Sequence, residues 1–380
     1  MAADPVPRED RSSPGPLPTE SAPFRVQPNN FDLLRLFAAL QVVVLHAWEH
    51  LQLPKEGSFE TVRVFLSFFP GVPIFFVISG FLISRSWERS HDLASYARNR
   101  FFRIYPALWV AFLLAVALAA ATGFVTRREL ATPSFWGWVV AQLSVVQFYN
   151  PEFLRGFGVG VINGSLWTIP VELAFYAFLP FFYRIGIDRL SARRGDLLLG
   201  AFAAGSFAIF VTTQSLDDAS QGLREKLLQV TLLPHLFMFL FGIALQRHLA
   251  ALSPMLEGRA VHWSLGYIAL MVASRFLEAP GTWVYVPLVL CQRVLLAAAI
   301  VACAYTARES ADRWLRGNDI SYGVYLYHML VVNLLVYLGA LRSFAGLAIV
   351  VAGTVLLAAL SWKLVEAPAL RHKRRAMRVL

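Results

Sequence analysis

The chain has few charged residues and almost no cysteine. Only 15% of its 380 residues are Asp, Glu, Lys or Arg, and Cys291 and Cys303 are its two cysteines. They lie twelve residues apart in one apolar segment, where a helix would hold them too far apart to bridge. The sequence therefore predicts neither a disulfide framework nor a metal site.

Acidic residues are also scarce, since 24 of them face 34 Lys and Arg and leave a net charge of +10. Such a charge can indicate a nucleic-acid partner. Here the basic residues stand in short loops between apolar segments, as the positive-inside rule requires, so we expect no nucleic-acid partner. With 57% hydrophobic residues and a mean hydropathy of +0.56, the composition predicts an all-α integral membrane protein surrounded by lipid.

The N-terminal stretch lacks the apolar run of a cleaved signal peptide. Residues 1–30 are rich in Pro, Ser and mixed charge, which predicts a disordered cytoplasmic tail. Residues 369–380 form a basic tail that we also expect in the cytoplasm. Between them, 31–368 leaves no room for a soluble domain and is predicted to be one transmembrane domain.

The number of spans follows from the loop charges. Eleven apolar segments are candidates, at 31–48, 64–83, 101–122, 135–148, 166–186, 196–213, 228–247, 262–277, 284–306, 320–340 and 343–365. If 135–148 does not cross, the inner loops and C-terminal tail hold 19 Lys and Arg against 8 outside. This bias predicts a bundle of about ten spans in the inner (cytoplasmic) membrane, both termini cytoplasmic, with 135–148 re-entrant or interfacial.

The first span, FDLLRLFAALQVVVLHAW, contains Arg35 and His46. Ionisable residues inside a membrane are costly unless they have a partner or a task. Eleven residues are about three helical turns, so the two share one face about 16 Å apart. This spacing favours an anion bound at one level of the bundle and a proton moved at another.

Six stretches resemble one family in both sequence and order. They are Arg35-x10-His46, GVPIFFVISGFLIS (71–84), RNRFFRIYPALW (98–109), SLWTIPVELAFY (165–176), ISYGVYLYHMLV (320–331) and KLVEAP (363–368). Together they are similar to the acyltransferase family 3 membrane enzymes, in the form without an appended esterase-like domain. The resemblance implies transfer of an acyl group, usually acetyl from acetyl-CoA, to hydroxyls of cell-surface glycans. It implies no metal, and no obligate protein partner is evident.

The donor's phosphates would lie on the cytoplasmic side. Arg100 and Arg103 stand three residues apart on one face of the third span, and with Arg35 they could bind the nucleotide end of CoA, because guanidinium groups bind phosphate in bidentate fashion. The alternative is that they are ordinary positive-inside anchors; the resemblance favours the donor site.

His46 is the candidate general base, since a neutral imidazole can take the proton of an attacking hydroxyl. A histidine satisfied by bonds within the bundle is the alternative, and the family's matching histidine favours catalysis. Glu172, in an apolar span, is costly there without a task. It could orient His46 or bind sugar hydroxyls.

Four further residues are candidates for binding the acceptor. Trp167 offers an aromatic face for a sugar ring, or serves as an interfacial anchor. Ser321, Tyr325 and His328 lie at helical spacing on roughly one face and match the family motif. Hydrogen bonding between helices would explain this stripe equally well.

Arg293 and His235 match no motif. Arg293 could pair with Glu172 or bind the donor phosphate, and the sequence does not choose between these roles. The rival function is a transporter or flippase of an anionic or lipid-linked sugar, because a basic bundle with buried His and Arg could perform that task as well. No inverted repeat is visible in the sequence to support it.

Overall fold

A computed structural model describes residues 28–214, 222–277 and 284–376, with side chains up to Arg371. The tail predicted at 1–30 therefore lies outside the described residues up to position 27, and the basic tail lies outside them from 377. The α-helices in chain order are α1 Phe31–His50, α2 Gly57–Ser67, α3 Gly71–Ser90, α4 Leu93–Ala121, α5 Arg127–Leu130, α6 Pro133–Leu143, α7 Thr168–Ile185, α8 Ala192–Gln214, α9 Leu223–Gln229, α10 Leu236–Arg247, α11 Leu249–Leu256, α12 Ala260–Leu277, α13 Tyr285–Ala304, α14 Ser310–Leu315, α15 Ser321–Tyr337, α16 Phe344–Ser361 and α17 Ala367–Ala376.

The described residues form helices and no strand, which confirms the all-α prediction. Eight helical segments are long and apolar enough to cross a membrane; α2 with α3, and α16 with α17, each count as one of them. The bent pair α10 and α11 and the shorter apolar helix α15 bring the total near the ten expected. By contrast, α6 has 11 residues, about 16 Å of helix, and is too short to cross alone.

The span expected over 228–247 is not one straight helix. Helix α9 ends at Gln229 and α10 begins at Leu236, so the interruption lies at 230–235. Beyond the predicted span, α10 meets α11 at an angle of 91°. Pro234 lies in the break before α10; it has no N–H and restricts the residue before it, so a helix does not run through it easily. Apolarity alone did not show this interruption.

Helix α15 is the buried centre of the bundle. It packs against α1, α4 and α16, and its polar residues Ser321, His328 and Asn333 are fully enclosed. A helix that is apolar on all sides is expected in such a position. Each of these polar groups has a hydrogen-bond partner within the protein. His328 also pairs with His46 of α1, and Asn333 bonds to the backbone of residues 159–162, so α15 is connected to other elements of the bundle.

Helices α3 and α10 approach each other closely because glycine stands at the crossing. A side-chain carbon at Gly80 would collide with the backbone of Phe239, and one at Gly242 would collide with that of Val77. Small residues allow such close contact between membrane helices. The crossing holds α3, which forms one wall of the cavity described below.

The start of α1 is tied down by Asn30. Its side-chain amide donates to the carbonyl oxygens of Thr306 (2.7 Å) and Ala307 (3.0 Å), and its oxygen accepts from the Ala311 N–H at 2.9 Å. Asn30 is buried, so the contacts that hold α1 include the residue just before it. These bonds place the first turn of α1 beside the segment that leads into α15.

Candidate active site

A cavity of about 300 Å³ lies between α1, α3, α4, α7 and α15. Its walls carry most of the predicted site residues together with apolar side chains; the polar lining groups are Arg35, Ser79, Asn99, Arg100, Arg103, Thr168, Glu172, Tyr176, Asp319, Ser321, Tyr322 and Tyr325. Along α3 the lining runs from Leu82 to Val72, ten residues or about 15 Å of helix. The cavity is therefore long and narrow, parallel to the helices.

Asp319 organises the basic end of this cavity. Its carboxylate forms an ion pair with Arg103 and lies 3.8 Å from the Arg35 guanidinium. It also accepts hydrogen bonds from the backbone N–H (3.2 Å) and the hydroxyl of Ser321. Arg35 lies 3.6 Å from Asp32 as well. Two of the three predicted phosphate-binding arginines are thus already paired with an acidic residue that motif spacing did not reveal.

Arg100 is held differently. Its guanidinium lies over the rings of Tyr96 (5.9 Å) and Tyr176 (5.4 Å). Within the part of the chain that the structure describes, it forms no ion pair, and its buried Nε has no hydrogen-bond partner. A buried N–H group without an acceptor is an unsatisfied donor. Arg100 is therefore the cation at this end that is best prepared to accept an added anion.

Glu172 belongs to α7, which forms one wall of the cavity. Its carboxylate accepts hydrogen bonds from the hydroxyls of Tyr176 and of Ser79, the latter at 3.4 Å. These are its hydrogen bonds within the described chain, and none of them joins it to His46. The structure thus does not bring Glu172 to the imidazole that it was a candidate to orient. It leaves a carboxylate facing the cavity.

At the opposite end, two motifs meet. The hydroxyl of Tyr325 donates to the backbone carbonyl of Ser165 at 2.9 Å and lies 2.9 Å from the hydroxyl of Thr168. Asn163 donates to the carbonyl of Leu326 at 2.9 Å. The SLWT stretch at the start of α7 is therefore fastened to α15, and Tyr325 is held as part of the cavity wall.

Two histidines lie beyond this end. His46 Nδ1 and His328 Nε2 are 2.9 Å apart, and the two ring centroids are 5.1 Å apart. His328 is fully buried, and its Nδ1 lies 2.6 Å from the carbonyl oxygen of Tyr325. His46 is only partly buried. The first span and the later motif, 282 residues apart, thus form one imidazole pair next to the cavity.

Three residues lie away from this centre. Trp167 contacts His235, with ring centroids 5.2 Å apart, and both line a separate cavity of about 320 Å³ with Phe210 and Gln214. His235 donates from Nε2 to the carbonyl of Gln229 at 2.8 Å. Arg293 lies over the ring of Phe210 at 5.5 Å. The structure thus separates Trp167 from the other predicted site residues.

The sequence reasoning missed Asp319, Tyr176 and Ser79. Tyr176 and Ser79 stand inside recognised motifs, so their position was a usable signal. Asp319 immediately precedes the stretch ISYGVYLYHMLV and begins no pattern of its own. Among the described residues no cluster of three or more His, Cys, Asp or Glu could hold a metal ion.

Comparisons with known proteins show the family of the chain. The profile of an acyltransferase domain matches residues 29–365. The chain is 34% identical to nodulation protein 10 of Rhizobium leguminosarum bv. viciae, over 90% of this chain and 93% of the relative. It is 23% identical to the O-acetyl transferase of Shigella phage Sf6 (89% and 95% covered). It is 26% identical to the peptidoglycan O-acetyltransferase OatA of Listeria monocytogenes serovar 1/2a, over 40% of this chain and 24% of the relative.

No solved structure matches the chain. The matched profile covers nearly all of the described bundle, and it includes His46, His328 and every arginine of the cavity. A relative named for acetyl transfer, the protein of Shigella phage Sf6, is similar to most of the chain. These matches favour an acyltransferase over the rival function, a transporter or flippase. The chain belongs to acyltransferase family 3 and is an integral-membrane O-acyltransferase.

Proposed function

We propose that the protein transfers an acyl group, in the first instance acetyl, from acyl-CoA on the cytoplasmic side to a hydroxyl of an extracytoplasmic carbohydrate. The observation that carries this proposal is the cavity itself. It has arginines at one end, runs about 15 Å along the helices, and ends at Tyr325, whose backbone carbonyl is bonded to His328, the partner of the half-buried His46. An elongated donor and a separate acceptor can therefore meet at the imidazole pair from opposite directions.

The basic end suits the nucleotide part of the donor. Arg100 offers a guanidinium without an acidic partner in the described chain, and Arg35 and Arg103 add positive charge around Asp319. Phosphate binds such groups through charge-assisted hydrogen bonds. The cavity is narrow, so we assign it to the pantetheine arm and the thioester, with the nucleotide at its mouth. Acetyl-CoA is the simplest donor that fits.

In the proposed chemical step, His46 acts as the general base. The acceptor oxygen attacks the thioester carbonyl carbon while His46 takes the hydroxyl proton. The tetrahedral intermediate then collapses, the carbon–sulfur bond breaks, and the CoA sulfur leaves and receives the proton from His46. The new ester, free CoA and neutral His46 complete the balance. Only the imidazole changes its protonation state.

The acceptor is proposed from the relatives and from the polar groups. One relative is named for O-acetylation of peptidoglycan, which supports a carbohydrate acceptor such as exopolysaccharide or lipopolysaccharide O-antigen. The Glu172 carboxylate could accept hydrogen bonds from sugar hydroxyls as well as from Tyr176. Trp167 lines its own cavity with His235, so any contact with the sugar there would lie outside the donor cavity.

We place the protein in the inner membrane of the cell, with both termini in the cytoplasm. Reporter fusions after residues 130 and 150 should both read extracytoplasmic, and a fusion after residue 190 should read cytoplasmic. The reason is the 19 to 8 distribution of Lys and Arg with a non-crossing 135–148. If the fusions after 130 and 150 read on opposite sides, 135–148 crosses and every later loop is inverted.

The function itself is tested by comparing the surface glycans of the source organism with those of a strain lacking the gene. We expect the deletion strain to lose the mass increment of one acetyl group on a defined sugar and to regain it on complementation. A complementing His46→Gln gene serves as the matched control and should not restore the increment. If the deletion strain keeps the acetyl content of its glycan but exports less of it, the protein is a transporter.

A further inference from the structure

His328 has no free ring nitrogen. Nδ1 is 2.6 Å from the carbonyl oxygen of Tyr325, and Nε2 is 2.9 Å from Nδ1 of His46. The residue is fully buried and does not line the cavity. A side chain in this state has nothing left to offer a sugar, so the substrate-binding role that the motif suggested does not fit its contacts.

The contacts of His328 also fix its tautomer. A carbonyl oxygen only accepts hydrogen bonds, so the proton of a neutral His328 must lie on Nδ1. Its Nε2 then carries a lone pair and can only accept. The proton between the two rings therefore belongs to Nδ1 of His46, and Nε2 of His46 is left unprotonated. The hydrogen bond made by one ring nitrogen of a histidine decides which of its two nitrogens can react.

The pair is held in a rigid setting. Helix α15 is the most enclosed helix of the bundle, and the Tyr325 ring is fastened by Ser165 and Thr168. The carbonyl that orients His328 thus belongs to a residue fixed at both its backbone and its hydroxyl. Because each partner constrains the next, the direction of the His46 ring depends on contacts that reach into α7.

We propose that His328 is the positioning residue of the reaction: it sets the tautomer and direction of His46 so that Nε2 of His46 points its lone pair at the acceptor hydroxyl. This rests on the proposed function of His46 as base. His328 does not bind substrate and touches no reacting atom. The pairing of His328 with His46 of α1 then explains why this histidine stands in the family-like stretch at 320–331.

The proton does not travel further than His46. To pass it on, His328 would have to become a fully buried imidazolium or give its Nδ1 proton to a peptide carbonyl, which is not a base at neutral pH. His46 instead keeps its Nδ1–H bond to His328 while charged, and a hydrogen bond from a charged donor is stronger than a neutral one. The pair therefore acts as a base with a fixed support, and not as a relay.

The test compares His328→Gln with His328→Leu in the purified full chain. A glutamine oxygen reaches about as far as Nε2 and can accept from Nδ1 of His46, whereas leucine cannot. We expect His328→Gln to stay close to the wild-type kcat. We expect His328→Leu to lose about 10²–10⁴-fold in kcat, with the KM for acetyl-CoA unchanged. His50→Gln is the matched control, since His50 lies near His46 (ring centroids 5.9 Å) without a hydrogen bond to it, and it should behave as wild type.

A second readout is independent of turnover. Nitrogen NMR of histidine-labelled protein should show His46 protonated at Nδ1 in the wild type and in His328→Gln, and a mixture of tautomers in His328→Leu. If His328→Leu does not fold, His328→Gln alone decides the question. Loss of activity in His328→Gln with the tautomer intact would indicate a relay and overturn the proposal, as would an unchanged His46 tautomer in His328→Leu. A wild type that transfers no acyl group but shows the expected tautomers would defeat the proposed function and leave the pairing established.

Discussion

His46→Gln and His46→Ala are expected to bind acetyl-CoA with the wild-type affinity and to lose acyl transfer by about 10²–10⁴-fold, the usual cost of removing a general base. Donor binding survives because Arg35 and the cationic end of the cavity lie about 16 Å from His46 along α1. Isothermal titration with acetyl-CoA and a transfer assay on the same preparation measure both quantities.

The two substitutions control for each other. Glutamine preserves polarity and can still donate to His328, so it tests the loss of the base with little change in packing. Alanine removes the ring contact with His328 as well. Equal inactivity of both variants supports the base. Near-normal transfer by His46→Gln would assign Arg35-x10-His46 to packing or donor binding.

Arg100→Ala is expected to weaken acetyl-CoA binding about 10- to 150-fold, the effect of losing one charge-assisted contact worth about 1.5–3 kcal/mol. Its thermal stability should hardly change, because Arg100 has no ion pair in the described chain. Arg103→Ala should differ: it leaves Asp319 buried without its main partner, which typically costs about 3–5 kcal/mol. We therefore expect a lower Tm for Arg103→Ala and not for Arg100→Ala.

Arg98→Ala is the matched control for this pair. Arg98 is on the same helix but lines a groove between α4 and α7 and not the donor cavity. It should bind acetyl-CoA as the wild type does. Equal affinity in Arg98→Ala and Arg100→Ala would return Arg100 to the role of a positive-inside anchor, and an unchanged Tm in Arg103→Ala would show that the Asp319 pair is not structural.

The spans were predictable because apolarity over about twenty residues is a local property of the chain. The short helix α6 followed from the same reasoning combined with the loop charges. The break before α10 was not predicted, since Pro234 occurs in an otherwise uninterrupted apolar stretch. A proline in a membrane helix can be tolerated or can end it, and neighbouring helices decide which occurs.

The site was predictable only in part. The motifs placed Arg35, Arg100 and Arg103 near the same end of their spans, and all three line one cavity. Their binding of the donor stays a prediction. The pairing of His46 with His328 depends on which helices are neighbours, and one sequence has no signal for a contact across 282 residues. Asp319 was missed for a related reason, since its importance lies in the two arginines that it contacts.

The most direct test of the central claim uses purified protein in nanodiscs, acetyl-CoA labelled in the acetyl group, and envelope glycan from the deletion strain as acceptor. The protein should release free CoA and place the label in ester linkage on the glycan, and His46→Gln should do neither while still binding the donor. Tight binding of acetyl-CoA by the wild type without label on the glycan and without free CoA would contradict the assignment of the arginine-to-histidine cavity as an acyl-transfer site.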